Sequence, residues 1–367
     1  MLVPVHIEKL ALPERGRIIV ISDVHGNLPY LRGLLAKVAP TEEDTLLFCG
    51  DMMEKGPYSL DTLHYLMDLS ARRRCLFVLG NCDYWYDEHN HSKPCRDWYV
   101  KDYLLSNGNG QGPGLLAQMC GKAGIAIDES FDIERYYKAL GDMFPREFEF
   151  LAAQPHVLET EYYTFVHGGL PEGDPKGWDG WYCMKNDNFM GQGRKFDKWV
   201  IVGHWPVMLY REDITCANPI IDRDSHIVSI DGGCVLKDDG QLNALIIPQN
   251  GSEDFSFVAY DPFPVRRVKS AQAAGEHSYY VRWGDNEVEI LSRGEEFSHV
   301  RHMRTGYELD VLTKYLYGER GVVRCNDCTD YVLPLNAGDE VSIVETTSRG
   351  YLCKHNGVSG WYYGELE

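Results

Sequence analysis

Apolar residues along this chain gather in short unbroken runs, and each run stops at glycine and a polar side chain. Ile18-Ile19-Val20-Ile21 leads into Ser22-Asp23-Val24-His25-Gly26-Asn27, Thr45-Leu46-Leu47-Phe48-Cys49 into Gly50-Asp51, and Leu76-Phe77-Val78-Leu79 into Gly80-Asn81-Cys82-Asp83. Farther on, Tyr163-Thr164-Phe165-Val166 leads into His167-Gly168-Gly169, and Val200-Ile201-Val202 into Gly203-His204. Short apolar runs closed by small and polar residues predict strands. Between them, residues 28–38 and 59–69 carry apolar side chains at spacings of three and four, with Pro57 near the second start, and predict helices. Strand, polar turn and helix alternate, as in an α/β layered domain with its sites at strand ends.

Two stretches depart from that rhythm. Residues 84–162 separate the third and fourth polar turns and carry helical patterns at 96–105 and 133–140. Their Trp85, Tyr86, Trp98 and Tyr99 either stack a base or pack as ordinary core. After residue 260 the pattern turns to β: Tyr279-Tyr280-Val281-Arg282-Trp283 and Glu287-Val288-Glu289-Ile290-Leu291 read as strands joined at Gly284-Asp285-Asn286.

Composition narrows the class. The chain has 367 residues, 44% apolar and 12% aromatic, enough for a full domain plus a smaller one and against wholesale disorder. Its net charge of -19 disfavours stable binding to duplex nucleic acid or to anionic membranes. No apolar run is long enough to span a bilayer, and residues 1–9 lack the pattern of a secretory signal. The 11 cysteines, an odd number scattered through apolar runs, fit free thiols in a reducing cytoplasm better than a disulfide framework. The single Cys-x-x-Cys, Cys325 to Cys328, has no second pair nearby and reads as structural.

Alternate residues of a strand leave the same face, so Asp23 and His25 can point an oxygen and a nitrogen into one space beyond the strand. Alone, that pair would be read as a turn. With Asp51, Asn81, His167 and His204 at four further strand ends, it reads as a metal site. An oxygen-and-imidazole donor set without thiolate clusters suits manganese, iron or zinc.

The elements Asp23-Val24-His25-Gly26, Gly50-Asp51-Met52-Met53-Glu54-Lys55-Gly56, Gly80-Asn81-Cys82-Asp83, Val166-His167-Gly168-Gly169-Leu170-Pro171, Gly203-His204-Trp205-Pro206 and Ile230-Asp231-Gly232-Gly233-Cys234 resemble, in order, those of the calcineurin-like metallophosphoesterases. The likeness is greatest to the branch of phosphoprotein phosphatases and symmetrical diadenosine tetraphosphatases. It implies a layered β-sandwich flanked by helices and two divalent transition-metal ions, manganese or iron with zinc as the alternative. Asp51 would bridge the ions, Asp23 and His25 complete the first, and Asn81, His167 and His204 hold the second. Two such ions clamp phosphate oxygens and make hydroxide available near neutral pH for in-line attack. Pro206 stands where many relatives have a further histidine ligand, which implies extra water on the first ion.

Two departures bear on mechanism. Cys82 replaces a histidine that helps to protonate the leaving oxygen in the family, and a thiol with an ordinary pKa of about 8.5 is a poor substitute for imidazole near 6.5. Either Cys82 marks preference for activated diester or anhydride leaving groups, or it merely packs beside the site. Glu54 stands where the family's carboxylate orients that missing histidine, and Lys55 replaces arginine, keeping charge while losing its bidentate fork. The resemblance counts Asp51, Asn81, Cys82, Asp83 and Glu54 as the catalytic set and Lys55, Asn81 and Lys185 as phosphate contacts. Lys185 is equally readable as a solvated surface lysine.

The last fifty or so residues resemble an SH3-like barrel through 330–335, 338–344, 351–354 and 356–362. Tyr351 and Leu352 stand in place of the usual tryptophan pair and the late proline is absent, which implies docking or stabilisation rather than PxxP recognition. The expected organisation is a catalytic domain over 16–262 with a helical insertion at about 84–162, a β-rich extension over 263–318 and a barrel over 319–367. The expected function is a cytoplasmic two-metal phosphoesterase acting on phosphodiester, phosphoanhydride or phosphomonoester bonds of a phosphorylated small molecule or phosphopeptide. The alternatives are a serine/threonine-type phosphoprotein phosphatase and a noncatalytic relative that binds a phosphorylated ligand.

Overall fold

The computed structural model describes residues 3–83, 104, 112–128, 130–319 and 321–367. The pattern at 96–105 and the aromatic residues Trp85, Tyr86, Trp98 and Tyr99 lie outside the described residues, Leu104 excepted. The chain divides into two compact units, of which the first comprises Met1–Pro206, Pro219–Leu236 and Gly240–Asp261.

Along the first unit run β1 (Ile7–Lys9), β2 (Ile18–Ile21), β3 (Thr45–Cys49), β4 (Cys75–Val78), β5 (Val157–Glu159), β6 (Tyr163–Val166), β7 (Trp199–Val202), β8 (Ile220–Asp222), β9 (Ile227–Ser229), β10 (Leu242–Ile247) and β11 (Ser256–Tyr260). They form one sheet in the order β11-β10-β2-β3-β4 and another in the order β1-β5-β6-β7-β9-β8. The apolar runs are fully apolar because each strand is covered twice. Ile18 and Val20 join Leu47, Tyr163, Phe165 and Ile201 in a core between the sheets. Ile19 and Ile21 face the other way, against Leu31 and Leu34 of α1 (Leu28–Val38) and Leu60 and Leu63 of α2 (Ser59–Ser70). The outer face of the second sheet is covered in turn by Cys183 and Phe189 against Val166 and Val200. Helix, sheet, sheet and helix thus stack as expected for an α/β sandwich.

The two predicted helices are present, and α1 owes its definition to an apolar stripe of Leu28, Leu31, Leu34, Leu35 and Val38. It stops at Ala39, which turns left-handed at φ 47° and returns its amide to Leu35. The pattern at 133–140 is realised as the helix Ile133–Met143. Strands β2, β3 and β4 are parallel neighbours, as are β6 and β7, so each set opens its carboxyl ends on one edge. Among the described residues no helix is long and apolar enough to cross a membrane.

The second unit comprises Val207–Asn218, Lys237–Asp239 and Pro262–Glu367. Strands Glu340–Thr346, Tyr351–His355 and Val358–Tyr362 form a meander, with Val265–Arg267 added at the edge of Glu340–Thr346. The two stretches expected as strands joined at Gly284-Asp285-Asn286 do turn there, with Arg282 bridging Asp285 and Asp285 N–H donating to Arg282 O at 2.9 Å, and each then takes its main partner elsewhere. Tyr280–Val281 pairs with Cys328–Thr329, and Val288–Ser292 pairs with Phe297–His302. Just past that turn the buried side-chain amide of Asn286 and its carbonyl both bond Cys325, which carries the chain to other partners. Strand pairing also crosses position 318, because Leu316–Glu319 lies against Val322–Cys325. Val281, Val300 and Leu309 share one core with Cys325, Leu352 and Trp361.

Candidate metal centre

Five strand ends of the first unit converge. Asp23 and His25 follow β2, Asp51 follows β3, Asn81 follows β4, His167 follows β6 and His204 follows β7. Backbone amides tie the turns together: Asp23 N–H donates to Gly50 O at 3.0 Å, His25 N–H to Asp51 O at 2.9 Å and Gly203 N–H to His167 O at 2.9 Å. The two sheets are joined there by His167 Nδ1 on Cys49 O at 2.8 Å and by His204 N–H on Asp23 Oδ2 at 3.1 Å.

The local conformation is unusual for side chains with a Cβ. Asp23, His25, Asp51 and His204 are left-handed at φ 57°, 50°, 52° and 66°, and Glu54 and Lys55 at 71° and 67°. Asp and His tolerate this region better than most residues, and such backbone persists only where surrounding structure enforces it, commonly at functional sites. Glycine serves the same convergence. Gly50 is left-handed against the His167 ring, and a Cβ on Gly80 would collide with Asp51 Oδ1.

Asp51 stands at the centre. One ligand atom each from His25, Asp51 and Cys82 lies within 4.8 Å of the others, and the same holds for Asp51, His167 and His204. Asp23 Oδ1 adjoins both sets, 3.7 Å from His25 Nε2 and 4.0 Å from His167 Nε2. Asp23 Oδ1, Asn81 Oδ1 and His167 Nε2 are buried and make no hydrogen bond. Buried polar atoms are rarely left unpaired, and Asp23 Oδ1 and His167 Nε2, 4.0 Å apart, fit a group that accepts lone pairs. The carbonyl of Cys49 can only accept, so Nδ1 of His167 keeps a proton and Nε2 is the nitrogen left for a cation once its own proton is displaced. The residues present therefore fit divalent cations of the oxygen-and-nitrogen class.

Electrostatics point the same way. Burial, the Asp231 carboxylate and the charge of Asp51 push Asp23 well above the usual carboxylate range. Burial opposes charge on Asp51 and His167 too, but their mutual attraction wins. It holds Asp51 far below the carboxylate range and lifts His167 to about 10. Three buried carboxylates near one another, Asp23, Asp51 and Asp231, make this a place that attracts cations.

The remaining predicted residues divide. Cys82 is buried, donates its backbone N–H to Asp51 Oδ1 at 2.8 Å, and has its thiol pushed up by burial and then by the Asp51 charge. Asp83 receives the amides of Met52, Met53 and Gly80 at 3.1 to 3.4 Å, so its carboxylate braces two ligand turns. Glu54 accepts the Leu115 N–H at 2.7 Å, holding the start of the helix Leu115–Ala123. The Lys55 charge acts on both His25 and Cys82 and lies near the first ligand set. Lys185 Nζ is 3.1 Å from Asp187 Oδ1, and the same oxygen accepts from His204 Nε2 at 2.8 Å. Asp187 escaped the sequence reading, since nothing local marks its pairing with a histidine 17 residues away.

The sequence profile described as calcineurin-like phosphoesterase matches residues 16–223. A symmetrical bis(5'-nucleosyl)-tetraphosphatase of Hamiltonella defensa is 46% identical over 65 residues, 17% of this chain and 23% of that protein. One of Serratia proteamaculans is 45% identical over 65 residues, 17% of this chain and 22% of that protein. The chain therefore matches less than a quarter of the length of these relatives. Among solved structures, a protein assigned as a diadenosine tetraphosphatase is 19% identical with a TM-score of 0.40 over 70% of this chain and 99% of that one. A Saccharomyces cerevisiae serine/threonine phosphatase is 13% identical with a TM-score of 0.42 over 71% and 84%. With its profile match running through all five ligand turns, the chain belongs to the calcineurin-like phosphoesterase family.

Proposed function

We propose that the protein is a dinuclear metal-dependent phosphoesterase that cleaves phosphodiester or phosphoanhydride bonds. The carrying observation is that Asp51 belongs to both ligand sets, which is what a bridging carboxylate requires. Manganese or iron, with zinc as the alternative, would supply Lewis acidity and a water of lowered pKa when bound. Asp23 and His25 would hold the first position, and Asn81, His167 and His204 the second, with Asp51 common to both. Lys55, Lys185 and the Asn81 amide would offer positive charge and hydrogen bonds to phosphate oxygens.

Cys82 supports an anhydride or activated ester over an alkyl monoester, because its buried thiol lacks the proton-shuttling range of imidazole. A nucleotide anhydride is the leading substrate class, in keeping with the relatives named above. In this reading 16–262 forms the catalytic domain, roofed by the insertion of about 84–162, and the β-rich remainder, 263–318 and an SH3-like 319–367, serves docking or stabilisation in the cytoplasm.

Metal analysis and turnover of dinucleoside polyphosphates, cyclic nucleotides, phosphopeptides and bis(p-nitrophenyl) phosphate test the proposal together. The wild-type chain is expected to carry two ions and to turn over the anhydride or diester, and Asp51→Asn to lose both turnover and at least one ion. An Asp51→Asn protein with wild-type metal content and rate would overturn the proposed centre.

A further inference from the structure

We infer that Asp187 is a positioning residue that fixes the ring of His204 for metal binding, with Lys185 anchoring Asp187 from the solvent side. The inference rests on the proposed role of His204 as a ligand of the second ion. An ionised carboxylate only accepts hydrogen bonds, so the 2.8 Å contact between Asp187 Oδ1 and His204 Nε2 places the ring proton on Nε2. The lone pair of the neutral ring is then on Nδ1, and a metal needs that lone pair.

The rest of His204 is held independently. Its backbone is left-handed at φ 66° and its N–H bonds Asp23 Oδ2 at 3.1 Å. Its ring lies edge-on to His167, with centroids 5.3 Å apart at 63°. These restraints place the ring but leave its tautomer undetermined, and the Asp187 contact supplies the missing choice. Asp187 is itself 45% exposed on a loop, where a free carboxylate would turn to water. Lys185 Nζ, 3.1 Å from the same Oδ1, holds it toward the ring. The lysine expected from sequence to grip phosphate therefore has a partner inside the protein. This arrangement mirrors the other side of the site, where Cys49 O fixes the tautomer of His167. One ligand histidine is set by a buried backbone carbonyl, the other by a half-exposed side chain.

The test uses the full-length chain stripped with chelator. Mn(II) is titrated calorimetrically into wild type, Asp187→Ala, Asp187→Leu, Asp187→Asn and His204→Ala, and histidine 15N spectra are recorded without metal. In wild type the His204 resonances are expected to report a proton on Nε2. Both Asp187→Ala and Asp187→Leu should scramble that tautomer and weaken the second ion by about 10–100-fold while sparing the first. Two variants are included so that a folded protein without the carboxylate is available. Asp187→Asn, whose amide oxygen still accepts from Nε2, should restore the tautomer and bring affinity back to near wild type. Unchanged tautomer and unchanged second-ion affinity in a folded Asp187→Ala or Asp187→Leu protein would overturn the inference. So would an Asp187→Asn protein as impaired as alanine. His204→Ala separates the underlying reading: if it still binds two ions at wild-type affinity, His204 is no ligand and the assignment fails at that step.

Discussion

At the scale of single residues, the candidate site is built from polar side chains at strand ends and from the distant groups that hold them. Asp23, His25, Asp51, Asn81, His167 and His204 announce themselves because each polar turn follows an apolar run and contains a glycine, a pattern carried by neighbouring letters. Asp187 and the Leu115 amide under Glu54 depend on contacts across 17 and 61 residues, which no local spacing records. Cys82 offers a direct test at this scale. Its side chain is buried beside Asn81, with the Asn81 amide 3.4 Å from the thiol, and its thiol stays protonated. Cys82→His is expected to raise hydrolysis of phosphomonoesters with poor leaving groups more than that of nitrophenyl diesters. Because Glu54 already holds Leu115 N–H, the gain should fall toward the low end of the about 10²–10⁴-fold typical of general acid catalysis. Rates for alkyl phosphates and bis(p-nitrophenyl) phosphate, measured on protein retaining both ions, decide it. An equal change for both would assign Cys82 to packing.

At the scale of elements, strands and helices of the first unit follow from periodicity, whereas the order of strands in the second unit does not. Short β segments pair according to distant partners, and beyond the turn at Trp283-Gly284 the Asn286 bonds to Cys325 take the chain away from Tyr280–Val281. One polar contact sets the entry of two central strands. Asp44 Oδ1 accepts Arg17 N–H at 2.8 Å, and Asp44 Oδ2 accepts Thr41 N–H and the Arg17 guanidinium, each at 2.7 Å. Burial works against the charged form, but the Arg17 guanidinium holds Asp44 at about 2. The folded value is below the unfolded one, near 3.9, so this stabilisation is complete above that value and disappears as pH falls through about 2. Asp44→Asn is expected to cost about 1–2 kcal/mol at pH 7, kept modest because Arg17 is partly exposed. Urea unfolding at pH 7 and near pH 2 should show the gap between wild type and variant shrinking in acid. A gap independent of pH would mean that charge at Asp44 is not what pins the strands.

At the scale of the whole molecule, every candidate ligand among the described residues lies in the first unit, while strands Glu340–Thr346, Tyr351–His355 and Val358–Tyr362 belong to the second. Removing residues 319–367 should leave metal content intact and alter turnover of a small chromogenic substrate only modestly. It should also disrupt what remains of the second unit. Val265–Arg267 loses Glu340–Thr346, Tyr280–Val281 loses Cys328–Thr329, and the shared core loses Cys325, Leu352 and Trp361. Binding of a hydrophobic dye and proteolysis within 262–318 should both rise. A truncated protein as resistant as the full chain in that stretch would show that the extension folds without its terminal partners.

The interleaving of the two units also orders events during synthesis. Strands of the first unit are all present once Asp261 has emerged, yet Val207–Asn218 has by then been waiting for partners that do not exist. Met208 and Ala217 are buried with Tyr280, the Ala217 N–H bonds Gly357 O, and Cys216 bridges Val358. At about 5–20 residues per second, the stretch of roughly 100 residues after Asp261 takes about 5–20 s to appear. For that interval Val207–Asn218 lacks the residues that bury Met208 and Ala217, and it takes its place in the second unit only once Val358 has been made.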